Sequence, residues 1–169
     1  VIGAAKRLSG TGGDPVVELQ TNFGGGKTHS MLALYHMAGS TPVQDLSGLD
    51  QLLEKQGLSV PQGINRAVLV GTSRGPQDVL HAEGDRKIRT TWGELAWQLG
   101  GQAAFDILRK NDEQLIAPAG LFKKVLEQCQ PALILVDELA DYCVKASARI
   151  SGISSLADHT FSFMQQLTG

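Results

Sequence analysis

Three consecutive glycines followed by lysine and threonine, at positions 24–28, constrain the fold of this chain more than any other feature. The apolar stretch at 16–20 directly precedes them and predicts a short buried strand. A helix ending at Gly39 is predicted after them, since apolar residues recur there at helical spacing: Met31, Leu32, Leu34, Tyr35 and Ala38. A glycine-rich turn between a buried strand and a helix is typical of α/β domains with parallel sheets.

The turn fits the phosphate-binding loop pattern G-x-x-x-x-G-K-[ST], except that Thr21, a β-branched and backbone-restricting residue, replaces the first glycine. Glycines let backbone N–H groups converge on phosphate oxygens, and the positive end of the following helix adds to the attraction. We expect Lys27 to contact the β- and γ-phosphates of ATP and the Thr28 hydroxyl to bind Mg²⁺. The predicted nucleotide-binding residues are Thr21, Asn22, Phe23, Gly24, Gly25, Gly26, Lys27, Thr28 and His29. Taken alone, the segment also fits a glycine-rich turn with a surface lysine.

A second motif is the apolar run at 132–136, which predicts a buried parallel strand and ends in Asp137 and Glu138. In phosphate-loop ATPases an aspartate at this point helps to hold Mg²⁺. We expect Asp137 to take that role and Glu138 to orient and polarise the attacking water. A strand-to-helix turn with an acidic cap is the alternative for the pair alone. Together with the loop, the pair favours an ATPase with Glu138 and Lys27 as its catalytic residues.

The remaining pattern alternates strands and helices over one domain, residues 1–169, after a polar, glycine-rich lead-in at 1–15. Capping boxes at Ser47/Asp50 and Thr91/Glu94, together with Pro118, predict three helix starts. A strand is predicted at 67–71 and a hairpin within 79–89. One helix is predicted to stop at Gly57, and another to break at Gly100-Gly101 and continue to about Lys110. Two more helices are predicted, one after Glu138 and a last one from about Ser155. The fold class predicted is a P-loop NTPase three-layer α/β/α core with a mainly parallel sheet.

Composition narrows the possible partners. The net charge of -2 and the pI near 6.1 give no overall attraction to nucleic acid or anionic membrane. No apolar run approaches the ~20 residues that a membrane span requires, and no signal peptide is evident, so we expect a cytoplasmic protein without a membrane partner. Cys129 and Cys143 form no CxxC pair and are predicted to be buried structural thiols.

Several other residues are weaker candidates for function, and structural roles are favoured for them. Trp92 and Trp97 are predicted to pack in the core. The hairpin cations Arg86, Lys87 and Arg89 are predicted to be solvated. An arginine-finger role is the minor interpretation of two cations after the acidic pair, Lys145 and Arg149. Asp141 and Tyr142 are placed at the edge of the site without a role.

Four segments resemble the large prokaryotic ATPases grouped as domain-of-unknown-function family 499. They are the loop and its helix at 19–36, and the segments at 91–101, 133–138 and 161–167. In this family's pattern Thr21 also stands in place of glycine. The resemblance implies an AAA-like, additional-strand ATPase within a longer chain. Members of this family are similar to ATPases encoded beside DNA methyltransferases, helicases and nucleases in phage-defence clusters, including the BREX type. The resemblance therefore implies DNA or DNA-modifying partners.

The sequence therefore predicts Mg-ATP binding and hydrolysis that drive a larger defence or DNA-processing assembly, with a homo-oligomer as one arrangement. A regulatory nucleotide switch with little turnover is an alternative. A small-molecule P-loop kinase is another, but the chain lacks an arginine-rich lid. A structural module with a vestigial site is disfavoured by Lys27, Thr28, Asp137 and Glu138.

Both ends of the sequence have the character of cut ends, and additional-strand ATPases carry a sensor strand between the phosphate-loop strand and the acidic-pair strand. We expect that strand to follow residue 169. The 169-residue fragment alone is therefore expected to aggregate, to bind ATP weakly and to hydrolyse it negligibly.

Overall fold

The computed structural model describes residues 1–19 and 26–168. Its helices are α1 (Ile2–Leu8), α2 (Lys27–Met37), α3 (Leu49–Lys55), α4 (Thr91–Gln114), α5 (Leu121–Gln128), α6 (Leu139–Ala146) and α7 (Leu156–Thr168). Its strands are β1 (Asn65–Val70), β2 (Leu80–Ala82), β3 (Arg86–Ile88), β4 (Ala132–Asp137), β5 (Ile150–Ser151) and β6 (Ser154–Ser155). Single 3₁₀ turns lie at Val43–Asp45 and Gly71–Ser73.

The chain forms two compact units. The first contains the described residues of Val1–Arg66 with Pro131–Leu133, and the second contains Ala67–Gln130 with the described residues from Ile134 onward. The single-domain prediction treated these residues as one body. No helix of the described residues is long and apolar enough to cross a membrane.

Strands β1 and β4 pair in parallel in a two-stranded sheet, and the boundary between the units runs through both strands. Two antiparallel hairpins complete the strands of the described chain: β2 with β3, where Leu80 pairs with Ile88, and β5 with β6. The strands predicted at 67–71 and 132–136 and the hairpin within 79–89 are confirmed. The β5–β6 hairpin was not predicted. The larger parallel sheet of a three-layer core stays a prediction.

In the first unit, α2 buries part of its predicted apolar face. Leu34 and Ala38 are buried as predicted, whereas Leu32 is 51% exposed, and Met37, which was not predicted, is also buried. The Arg66 guanidinium lies 4.1 Å from the centre of the Tyr35 ring and donates to the Tyr35 carbonyl at 2.8 Å. These contacts fix the C-terminal half of α2.

The buried strand predicted at 16–20 is wrong for its described part. Residues 16–19 form no strand, and Val16, Val17 and Leu19 are 43%, 58% and 42% exposed. A strand requires a neighbour to satisfy its backbone N–H and C=O groups, and no described strand pairs with this segment. Residues 1–15 were predicted to be a polar, glycine-rich lead-in, and this prediction missed α1, which forms over Ile2–Leu8.

Helix α3 confirms a predicted helix and corrects its start. Gly48, with φ of 84°, caps it without a side-chain hydrogen bond, so Ser47 is not the cap of a capping box. The predicted stop is confirmed: Gly57 has φ of 61°, and the Leu58 N–H returns to the Leu53 carbonyl at 3.0 Å.

Helix α4 organises the second unit. Its two halves meet at a kink where Gly100 and Gly101 leave helical geometry, as the glycine pair predicts. Trp92 is fully buried and contacts Phe163 of α7, with ring centres 5.9 Å apart. The Phe163 ring also lies 4.8 Å from that of Phe122 in α5. The core of this unit therefore joins α4, α5 and α7.

The start of α4 lies one residue from its prediction. Thr90, not Thr91, is the cap, because the Thr90 hydroxyl accepts the Gly93 N–H at 3.0 Å. Asp112, near the other end of the same helix, is fully buried and accepts the N–H groups of Arg89 and Thr90 and the Thr90 hydroxyl. This carboxylate ties the two ends of α4 together across the kink.

Two further boundaries and the burial of one strand differ from prediction. The second half of α4 continues past Lys110 to Gln114. Pro118 precedes α5 instead of occupying its first turn; Gly120 is the cap, and the Leu121 N–H bonds the Pro118 carbonyl. Strand β4 is buried only at Leu135, with its other residues half-buried, so the fully buried strand was wrong.

Candidate functional site

One candidate region, in the first unit, is the start of α2. Gly26 caps this helix in the left-handed region, with φ of 78° and ψ of 14°, a conformation that favours glycine. Lys27, Thr28 and His29 form the first turn and are all exposed. No side chain caps the helix and no acidic residue lies in its first turn. Thr21, Asn22, Phe23, Gly24 and Gly25 lie outside the described residues.

This helix start is suited to an anion. The first N–H groups of a helix have no intrahelical partner, and the helix dipole makes that end positive. Most helices offset the charge with an acidic residue or a polar cap, whereas here Lys27 adds a further positive charge. A phosphate group can supply acceptors to these N–H groups and a negative charge, which no acidic residue of the first turn provides.

A separate candidate region, in the second unit, is the end of β4. The strand ends at Asp137, and Glu138 follows in the left-handed region with φ of 51°, capping α6. Asp137 Oδ1 accepts the Glu138 N–H at 3.0 Å, and the Glu138 carbonyl accepts the Asp141 N–H at 3.2 Å. A non-glycine residue in this conformation costs on the order of 1–2 kcal/mol, so the surrounding contacts must hold it there.

Two residues that follow β1 make those contacts. The Thr72 hydroxyl donates to Glu138 Oε2 at 2.6 Å. At Gly71, a Cβ would lie 2.0 Å from the Glu138 carbonyl oxygen, so only glycine fits beside this backbone. Parallel strands end at the same edge of a sheet, which explains why the turn after β1 meets the residue after β4.

Sequence reasoning missed both Gly71 and Thr72. The available signal was a glycine and a hydroxyl residue directly after a buried strand, since such positions lie at the edge where the acidic pair was expected. The sequence does not show that β1 and β4 are neighbours, because this depends on the pairing of strands that lie far apart in the chain.

A family model described as the DUF499 N-terminal domain matches residues 1–168. The chain belongs to the DUF499 family. No curated protein and no solved structure was found to match it. The family membership predicted from the segments at 19–36, 91–101, 133–138 and 161–167 is confirmed.

The residues that were minor candidates for an arginine finger or for the edge of the site contact other residues of the second unit. Lys145 pairs with Asp141 one helical turn away, at 2.5 Å, and Arg149 donates to the Pro76 carbonyl. Tyr142 is fully buried, not at an edge, and burial raises the pKa of its phenol. These contacts do not favour an arginine finger at Lys145 or Arg149.

The predicted structural roles of the cysteines and of Trp92 are confirmed. Cys129 and Cys143 are buried, and burial raises the pKa of both thiols. Trp97 is half-buried, with the Arg86 guanidinium 5.4 Å from its ring centre. Across residues 1–19 and 26–168, no group of three or more His, Cys, Asp or Glu side chains is arranged to hold a metal.

Proposed function

We propose that this DUF499 domain binds Mg-ATP and hydrolyses it as the motor or switch of a larger prokaryotic DNA-processing or phage-defence assembly. The observation that carries the proposal is the geometry of Glu138. Its exposed carboxylate stands at the carboxyl end of a parallel strand, in a left-handed backbone conformation, and accepts a hydrogen bond from Thr72. A carboxylate that is accessible and held in one orientation is what activation of a water molecule requires.

The start of α2 supports the phosphate-binding half of the proposal. Lys27 and Thr28 are exposed in a first turn that has no acidic residue, and Gly26 gives the turn its left-handed cap. An ammonium group beside the N–H groups of a helix N-terminus binds the terminal phosphates of a nucleotide more strongly than either feature alone.

Each of the two predicted metal ligands has the chemistry that Mg²⁺ prefers. Mg²⁺ takes oxygen ligands, and the Thr28 hydroxyl of the first unit and the Asp137 carboxylate of the second are both of that kind. When bound with ATP, Mg²⁺ would neutralise charge on the phosphates. In this scheme Asp137 would hold the hydration shell of the ion. Glu138 would accept a proton from the attacking water, and Lys27 would stabilise the negative charge that develops on the γ-phosphate.

The wider context rests on resemblance. The residues that carry the family match imply an AAA-like, additional-strand core, and the relatives they resemble are encoded with DNA-modifying enzymes. DNA or DNA-modifying proteins, a homo-oligomer and a longer chain are accordingly part of the proposal. Trp92 and the buried cysteines lend it no support, because their contacts are those of a protein core.

A steady-state ATPase assay of the full-length protein, with and without DNA, tests the proposal. Glu138→Gln keeps the shape of the side chain but cannot accept the proton, so it should bind ATP with unchanged affinity and lose turnover. Glu127→Gln, an exposed glutamate of α5, is the matched control and should keep the wild-type rate. Wild-type turnover by Glu138→Gln would rule out Glu138 as the catalytic residue.

A further inference from the structure

Arg74 lies two residues after Thr72 and is only 5% exposed. Its guanidinium forms an ion pair with Glu94 in the first turn of α4. It also donates to the Thr90 carbonyl at 3.3 Å and to the Ile88 carbonyl at 3.4 Å. A buried guanidinium with several fixed acceptors holds the backbone that carries it in one position.

The other end of the same segment is attached to the same helix. Gln98, one helical turn after Glu94, accepts the Val68 N–H at 2.8 Å and donates to the Val68 carbonyl at 2.9 Å, so its amide pairs with β1 as a neighbouring strand would. The Gln98 amide also donates to Glu94 Oε1 at 3.3 Å. We call Arg74, Glu94 and Gln98 the α4 brace.

Between the two attachments lie Gly71 and Thr72, the residues that contact Glu138. We propose that the α4 brace positions Thr72 and, through its hydroxyl, the Glu138 carboxylate, which makes Arg74 and Glu94 positioning residues for ATP hydrolysis. This inference rests on the proposed function. Its structural half, the coupling of Arg74 to Glu138, can be tested without turnover.

The position of residues 71–74 depends on both members of the Arg74–Glu94 ion pair. Removing one partner of a buried pair leaves the other charge without compensation, so the segment must shift until water reaches it. A shift of 71–74 would move the Thr72 hydroxyl away from Glu138 Oε2, because the 2.6 Å bond has little tolerance in length. The effect would then pass from a side chain on α4 to the end of β4.

Hydrogen–deuterium exchange of the full-length protein tests the coupling directly. Arg74→Met should raise exchange in peptides covering 68–74 and also in those covering 137–141. Glu94→Gln removes the negative charge with little change of shape, and it serves as the second variant if Arg74→Met does not fold. Phe122→Leu, which trims the α5 contact with Phe163, is the control for general destabilisation and should leave exchange at 137–141 unchanged. Unchanged exchange at 137–141 in the folded brace variant would overturn the proposal.

Kinetics test the consequence for the reaction. Arg74→Met should lower kcat about tenfold, the equivalent of one hydrogen bond to a charged group, with KM within about twofold of wild type. Arg74→Met combined with Thr72→Val should lower kcat no further than either single change, because both remove the same orientation of Glu138. Additive losses would overturn the proposal. If the wild-type protein itself shows no turnover, the proposed function fails, and the exchange result still decides whether the brace couples Arg74 to Glu138.

Discussion

Thr72→Val removes the hydroxyl that bonds Glu138 while preserving the volume and branching of the side chain. The bond is 2.6 Å long and ends on a carboxylate, a kind of hydrogen bond that contributes about 1.5–3 kcal/mol. Both residues are exposed, so water can replace part of the contact, and we take about 1–1.5 kcal/mol as its value. Since about 1.4 kcal/mol corresponds to a factor of ten in rate, kcat should fall about five- to tenfold.

The assay is steady-state phosphate release by the full-length protein over a range of ATP concentrations. KM should stay constant, because Thr72 acts on the carboxylate and not on the nucleotide. Thr72→Ser, which keeps the donor, should retain most of the activity. Ser73→Ala removes a neighbouring exposed hydroxyl from the same turn and is the matched control. An unchanged or increased kcat in Thr72→Val, beside a normal Ser73→Ala, would refute the orienting role of this bond.

Two other predictions concern stability in the second unit. Gly71→Ala should destabilise the protein by about 1–3 kcal/mol in urea unfolding and reduce turnover, because the new Cβ meets the backbone of Glu138; Gly120→Ala, where a Cβ meets nothing within 4 Å, should do neither. Burial raises the pKa of Asp112 above its ordinary value, so the folded state binds a proton more readily than the unfolded state. Stability relative to Asp112→Asn should therefore be greatest below the ordinary carboxyl pKa of about 4 and decline as pH rises towards the raised value. Tryptophan fluorescence in urea at several pH values measures this difference, and a difference that grows with pH would contradict the sign.

Local patterns predicted the helices and strands of the second unit well. Helical spacing located Trp92 and its neighbours on the buried face of α4, and Gly100-Gly101 marked the kink. These features depend on residues within one or two turns of each other. Helix starts were less accurate. The capping-box pattern selects Thr91, whereas the cap is Thr90, which Asp112, 22 residues away, binds through its N–H and its hydroxyl.

Features that depend on distant pairing were not predictable in the same way. Apolar residues at 16–19 suggested a buried strand, but burial requires a neighbouring strand, and the described residues provide none. The contacts that orient Glu138 come from Thr72 and Gly71, 66 and 67 residues earlier in the chain. The sequence alone was enough to name Glu138 as the candidate catalytic residue. The groups that orient it, Gly71 and Thr72, could be identified only from the pairing of β1 with β4.

The central claim is nucleotide binding at the start of α2, and a titration with a fluorescent ATP analogue tests it most directly. The full-length wild-type protein should bind the analogue, and Lys27→Ala should reduce the affinity at least tenfold, because it removes the cation facing the terminal phosphates. Lys55→Ala, an exposed lysine at the end of α3, is the matched control and should bind as wild type. Equal affinity in Lys27→Ala and wild type would contradict the account.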